Sequence, residues 1–278
     1  MAAGNKRTSG ICAMSYNSAG DELFLADRKK NGVVLAMRVR DNAGDLRDVY
    51  RAPHDMSPLI RSVFYMRHSD TLLVCSGEEG QDKNWANWLV ALSRNGSEWR
   101  ESQRLQIDGS RERSMIICCA LSDSRVLINE FNSTYMELFR VESGMRIARI
   151  HHIHVPEEYH FLSATCASDT LVAMTNPYTD KSVRVHRLRG DQLEELARIQ
   201  LKWPDRLFWL ADRLLVTDFD REESHAVIEL EVSDTRLERR RELIAASENI
   251  YAFRLCAVND GLAIFDDNSK DILHYSFV

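Results

Sequence analysis

The chain has 278 residues, 44% of them hydrophobic and 28% charged, the make-up of a folded globular protein and not of a disordered one. Its 42 acidic against 36 basic residues leave a formal charge of −6, so there is no broad basic surface for nucleic acid or anionic lipid. No run approaches the ~18 apolar residues of a membrane span, and residues 1–10 have no apolar core of an export signal.

The six cysteines form no C-x-x-C pair, and each falls inside an apolar run. They read as free, buried thiols in a reducing compartment, which places the chain in the cytoplasm, with the nucleus as the alternative.

The first predicted strand covers 11–16 and stops at a turn marked by Gly20-Asp21. An apolar run, Leu23-Phe24-Leu25, follows as the second strand. Leu35-Ala36-Met37-Arg38-Val39 then alternates inward and outward as a half-buried third, and a charged fourth covers 46–51. The phrase of small or polar residue, Asp and apolar run returns at Asp70, Asp123, Asp169, Asp212 and Asp260. Each return has an apolar first strand before it: 60–66, 115–121, 161–166, 207–210 and 253–258. Alternating third strands come after at 135–139, 183–188, 227–232 and 272–275. Charged fourth strands close the second to fifth units at 99–107, 146–155, 193–201 and 237–245, although the last two also suit short helices. High charge protects an outer strand from pairing with other chains.

Four strands at a period of about 48 residues are propeller blades, so the expected fold is all-β: one β-propeller domain, 1–278, of about six four-stranded blades. The sixth unit ends after its third strand. The last blade is therefore incomplete, or residues 1–10 supply its outer strand. The Asp of each phrase belongs in the tight turn between first and second strands, where its side chain bonds local backbone.

The first unit, Tyr16-Asn17-Ser18-Ala19-Gly20-Asp21-Glu22-Leu23-Phe24-Leu25-Ala26-Asp27 with Gly32-Val33-Val34-Leu35-Ala36-Met37, resembles the central strands of a WD-repeat blade. The family's Gly-His pair is missing, and Met37, Leu92, Phe139, Leu188, Leu230 and Tyr275 stand where its Trp-Asp pair would close the third strand. The family's internal His–Asp hydrogen bond therefore does not carry over. The resemblance implies a rigid platform that assembles proteins, and not an enzyme.

No phosphate loop, nucleotide fingerprint, nucleophile elbow or zinc-protease motif occurs, and no catalytic residue, metal ligand or cofactor is assigned. His151-His152-Ile153-His154 and Arg239-Arg240-Arg241 read as solvated outer-strand residues. The functional clue is positional. The exits of the second strands lie on the rim that also carries the inter-blade connections. They hold Asp27, Glu78 and Glu79, Glu130, Asn176, Asp218 and Asp220, and Asp266 and Asp267. Such a ring would attract a basic protein or peptide segment, or a divalent cation with hard-oxygen preference, whereas turn chemistry explains the same residues without any ligand. Trp85, in the long predicted loop 77–87, completes the expected partner-binding set, while Trp88 and Trp99 are expected to pack between blades. The leading expectation is a non-enzymatic scaffold that binds a protein partner through this rim, with no nucleic-acid or membrane partner. The alternative is a propeller-fold hydrolase or lactonase using carboxylates and a divalent cation at the channel mouth.

Overall fold

The computed structural model describes residues 11–27, 32–39, 46–52, 59–79, 85–107, 116–122, 124–130, 135–142, 146–155, 163–168, 170–210, 213–220, 224–233, 236–244, 252–258, 261–266, 269 and 271–276. Blade 1 runs through Ile11–Asn17 (β1), Glu22–Asp27 (β2), Val33–Arg38 (β3) and Arg47–Arg51 (β4). Blade 2 is Leu59–Met66 (β5), Thr71–Glu79 (β6), Trp85–Asn95 (β7) and Glu98–Ile107 (β8). Blade 3 is Ile116–Ser122 (β9), Arg125–Glu130 (β10), Tyr135–Val141 (β11) and Ile147–His154 (β12). Blade 4 is Ser163–Cys166 (β13), Leu171–Asn176 (β14), Ser182–Arg189 (β15) and Gln192–Gln200 (β16). Blade 5 is Pro204–Leu210 (β17), Arg213–Asp220 (β18), Ser224–Val232 (β19) and Leu237–Ile244 (β20). Blade 6 has Ala252–Val258 (β21), Gly261–Asp266 (β22) and Ile272–Ser276 (β23).

Within each sheet the strands pair antiparallel in chain order. The first strands touch one another in the cycle β1, β5, β9, β13, β17, β21 and back to β1, so they form the innermost ring of a six-bladed propeller. Residues 1–10, where an outer strand for blade 6 was expected, lie outside the described residues.

Apolar side chains fill the six seams between blades. Phe24 and Val34 meet Val63, Val74, Val90 and Trp99 between blades 1 and 2. Ile11, Leu25 and Leu35 meet Val258 and Phe265 between blades 1 and 6, closing the ring. A second strand lies near the middle of its sheet and is covered by a blade on each face. Its central residues are therefore an unbroken apolar run, as at 23–26 in the wholly buried β2 and 262–265 in the wholly buried β22. Fourth strands face solvent, and the two runs that also suited helices are the strands β16 and β20. Arg239 is paired with Glu242, and Arg240 and Arg241 with Glu229, within blade 5. Trp99 is buried and Trp88 partly so in the seam between blades 1 and 2, as expected of both.

Asp21 and Asp70 occupy the left-handed backbone region at φ 52° and 44° in the turns between first and second strands, a conformation Asp tolerates. Each carboxylate accepts a bond from a tyrosine five residues earlier, Tyr16 at 2.8 Å and Tyr65 at 2.9 Å. Burial, reinforced by the bond to Asp70, raises the Tyr65 phenol to about 12, so it stays a donor. The other four phrase aspartates lie outside the described residues.

Polar staples cross the seams as well. Ser15 accepts the Tyr65 N–H at 2.8 Å, Thr165 accepts the Trp209 N–H at 3.2 Å, and Gln103 bonds both backbone groups of Ile147.

In blade 6, Gly261 opens β22 where its backbone passes close to β23. A Cβ there would lie 2.1 Å from the Tyr275 carbonyl oxygen, a backbone atom that cannot rotate aside. Gly261→Ala is expected to cost about 1–3 kcal/mol by pushing the two strands apart. The midpoint of urea unfolding, compared with wild type, measures it.

Candidate functional site

Antiparallel order puts the turns after β1 and β3 on one rim, and the connections after β2 and β4 on the other. The same holds in every blade, so the loop-bearing rim carries all second-strand exits. Asp27, Glu79, Glu130, Asn176, Asp220 and Asp266 are each the last residue of a second strand, and Glu78 precedes Glu79. Asp267 lies outside the described residues. Trp85 stands on β7, directly paired with Glu79, because the two strands extend through Gly77–Asn87 and Glu78–Ala86. The expected loop 77–87 is thus mostly a strand hairpin, since backbone hydrogen bonds extend a ladder through polar sequence that has no apolar signal.

The exits with described side chains are buried, and three of them accept hydrogen bonds from loop backbone. Asp27 and Asn176 are fully buried, and Asp218 and Asp266 nearly so. The Asn176 amide oxygen accepts the Thr179 N–H at 3.2 Å, and Asp266 accepts the Ser269 N–H at 3.3 Å. The Asp218 carboxylate accepts two amides of the connection between blades 4 and 5, from Lys202 at 3.3 Å and Trp203 at 2.6 Å. Asn176, Asp218 and Asp266 thus shape the loops they stand beneath.

Two of them, on neighbouring blades, bring together a pair that sequence reading missed. Tyr178 sits on the turn held by Asn176, and Trp203 on the connection held by Asp218. Their rings meet edge to face at 5.4 Å, with planes 85° apart. Tyr178 is 49% exposed, which sets it apart from the other large hydrophobic side chains among the described residues. The frame beneath is stiff: Leu201 N–H bonds the Lys181 carbonyl at 2.8 Å, and Phe219 N–H bonds the Trp203 carbonyl at 3.0 Å. Lys181 and Lys202 are exposed beside the rings. Asp180 supports the same turn. Burial alone would raise its carboxyl, but the Ser182 hydroxyl and the guanidinium groups of Arg184 and Arg198 outweigh that and hold it below its usual value. A signal was available for Trp203 alone, since it stands on a connection of only three residues, 201–203, between β16 and β17.

No protein-family model matches the chain, and no curated protein resembles it significantly in sequence. Solved structures match it closely in shape. A Bacteroides uniformis protein carrying the provisional name 6-phosphogluconolactonase superimposes with a TM-score of 0.69 at 10% identity, covering 96% of this chain and 80% of that one. A Lactobacillus plantarum protein gives 0.65 at 10% identity, covering 96% and 84%. A chain of a mitotic checkpoint complex gives 0.59 at 9% identity, covering 100% and 92%. The likeness is one of fold.

Among the described residues no group of His, Cys, Asp and Glu is arranged to hold a metal ion, and no helix is long and apolar enough to cross a membrane. His151, His152 and His154 lie exposed on β12, with His152 edge-on to Tyr135 at 5.4 Å. Cys12 and Cys256 are thiols raised by burial, Cys256 to about 12, and neither is a ready nucleophile.

Proposed function

We propose that this chain is a WD-like interaction propeller that binds a protein or peptide partner on its loop-bearing rim. The observation that carries the reading is the Tyr178–Trp203 pair, held on buried Asn176 and Asp218 at the seam of blades 4 and 5. Rigid, partly exposed aromatics are what binding hot spots are made of, because they offer large contact area at little entropic cost. Asp27, Asn176, Asp218 and Asp266 act in this reading by setting loop shape. Glu78, Glu79, Trp85, Glu130 and Asp220 belong to the same rim, and with Asp267 they are proposed to extend the contact toward a basic segment of the partner. The net charge of −6 speaks against nucleic acid as that partner.

Affinity capture with the wild-type chain and with Tyr178→Ala, Trp203→Ala and Trp85→Ala tests it. Trp203→Ala is expected to weaken the captured partner by at least about 2 kcal/mol, roughly thirtyfold in Kd. Asp191→Ala, on the opposite rim, is expected to leave it unchanged. An unaltered partner set in Tyr178→Ala and Trp203→Ala would remove the reading.

The hydrolase reading rests on fold likeness to the provisionally named 6-phosphogluconolactonases and stands on equal footing at that level. It requires a divalent cation at the channel mouth. Metal analysis of the purified protein, with melting curves in Ca²⁺ and in chelator, separates the two: a stoichiometric ion and a large melting shift would favour the enzyme.

A further inference from the structure

Lys181 stands in a backbone conformation suited to glycine. Its φ is 52°, in the left-handed region, and among the described residues Asp21 and Asp70 are the other non-glycine residues with positive φ. Aspartate tolerates that region because its short side chain bonds nearby backbone, whereas glycine takes it at no steric cost and lysine does neither. The turn imposes the conformation. Residues 177–181 are closed by the pairing of Asn176 with Ser182. The Asn176 amide oxygen accepts the Thr179 N–H at 3.2 Å, and the Lys181 carbonyl accepts the Leu201 N–H at 2.8 Å. Backbone strain persists where the surroundings over-determine it, and it clusters at sites that bind. The side chain kept here is exposed, three residues on from Tyr178 in the same turn.

Its charge is the one the turn leaves unbalanced. The Ser182 hydroxyl and the Arg184 guanidinium occupy the Asp180 carboxylate, and Arg184 also reaches Glu195 at 2.9 Å. Arg198 lies 3.9 Å from both carboxylates. Two arginines thus balance two carboxylates, and Lys181 forms no ion pair among the described residues. On the neighbouring blade, Asp205 is 3.4 Å from Arg206, and Asp218 is taken by the amides of Lys202 and Trp203. The Tyr178–Trp203 rings therefore carry a positive charge at their side, on a chain whose net charge is −6.

We propose that Lys181 sets the specificity of this patch, and that the partner segment seated there is acidic: an apolar anchor against the rings, flanked by Asp or Glu. This role rests on the partner-binding reading of the patch and adds the charge of what it binds. Glu78, Glu79 and Glu130, proposed above to face a basic segment, stand on blades 2 and 3. A single partner would thus present opposite charges to the two halves of the rim.

Selection of peptides from a phage-displayed random library on the full chain tests the charge, with the Kd of each selected peptide measured by fluorescence polarisation. Ring-dependent peptides, identified by lost binding to Tyr178→Ala and Trp203→Ala, are expected to carry Asp or Glu beside an apolar anchor. Lys181→Glu is expected to weaken them at least about tenfold and Lys181→Gly less, while Arg189→Glu, on the opposite rim, leaves them unchanged. Their affinity is expected to fall as sodium chloride is raised. Lys181→Gly, which relaxes the backbone, is expected to melt no lower than wild type. Ring-dependent peptides without acidic residues, or indifferent to Lys181→Glu, would overturn the role of Lys181 and leave the patch reading standing. A lower melting temperature for Lys181→Gly would overturn it too, by making the lysine structural. A selection that yields no ring-dependent peptide would overturn both.

Discussion

Phe24→Ala is expected to lower the unfolding free energy by about 3–5 kcal/mol, the range for a large buried aromatic cut to a methyl group. Phe24 is fully buried on β2 and points into the seam with blade 2. Its ring lies 5.9 Å from Tyr65 in a near-parallel arrangement and 5.6 Å from Trp99, edge to face. Tyr65 and Trp99 also meet edge to face, at 6.5 Å, so the three rings form one closed cluster. The partners cannot collapse into the vacated space. Tyr65 is tied by its hydroxyl to Asp70 and by its backbone to Ser15, and Trp99 is covered by the Arg94 guanidinium at 4.8 Å. Arg94 is itself fixed by Glu22, a nearly buried carboxylate that also takes Arg47. Equilibrium denaturation of wild type, Phe24→Leu and Phe24→Ala measures the effect, with Phe24→Leu falling between. A loss below about 1 kcal/mol for Phe24→Ala would mean that the seam repacks freely.

Acid should weaken the fold through His186. This side chain is 1% exposed on β15, paired across the ladder with Glu195 and two residues from the buried Arg184. Burial pushes its imidazole down to about 4, with Arg184 acting in the same direction and Glu195 opposing it. In the unfolded chain the ring takes its proton near pH 6.5. Between those values the unfolded state binds the proton and the folded state does not, so stability falls as the pH drops. Stability is full above about pH 6.5 and declines at about 1.4 kcal/mol per pH unit, for a total of about 3 kcal/mol near pH 4. Asp180 acts in a lower window, because its depressed carboxyl gives up its contribution only below 3.8. Denaturation of wild type and His186→Leu at pH 7 and pH 4.5 isolates the imidazole: the wild type should lose more stability than the variant by about 2–3 kcal/mol. Equal losses would refute the assignment.

Both effects come from residues that the sequence marks only as members of a strand. Phe24 belongs to an apolar run and His186 to an alternating one, and neither pattern says what lies across the seam. The repeat itself was legible because each blade needs the same parts: a turn residue such as Asp21 or Asp70, an apolar run in the second strand, and a charged outer strand. The loop 77–87 was misread for the reverse reason, since the β6–β7 ladder continues through Gly77, Glu78 and Glu79 on backbone hydrogen bonds.

The candidate site divides the same way. Chain order and antiparallel pairing put Asp27, Asn176, Asp218 and Asp266 on one rim, and that followed from the repeat. That Asn176 and Asp218 would serve backbone amides while lifting Tyr178 against Trp203 required the two connections to be seen side by side.

What the amino-acid sequence alone determined is the blade: its strand order, its turns and its period, all set by interactions between near neighbours in the chain. Only the closed ring decided which side chains share a seam. Phe24, Tyr65 and Trp99 are far apart along the chain and lie on two different sheets, so no local pattern couples them. Radial closure, driven by burial of both faces of every sheet, brings their rings into one cluster.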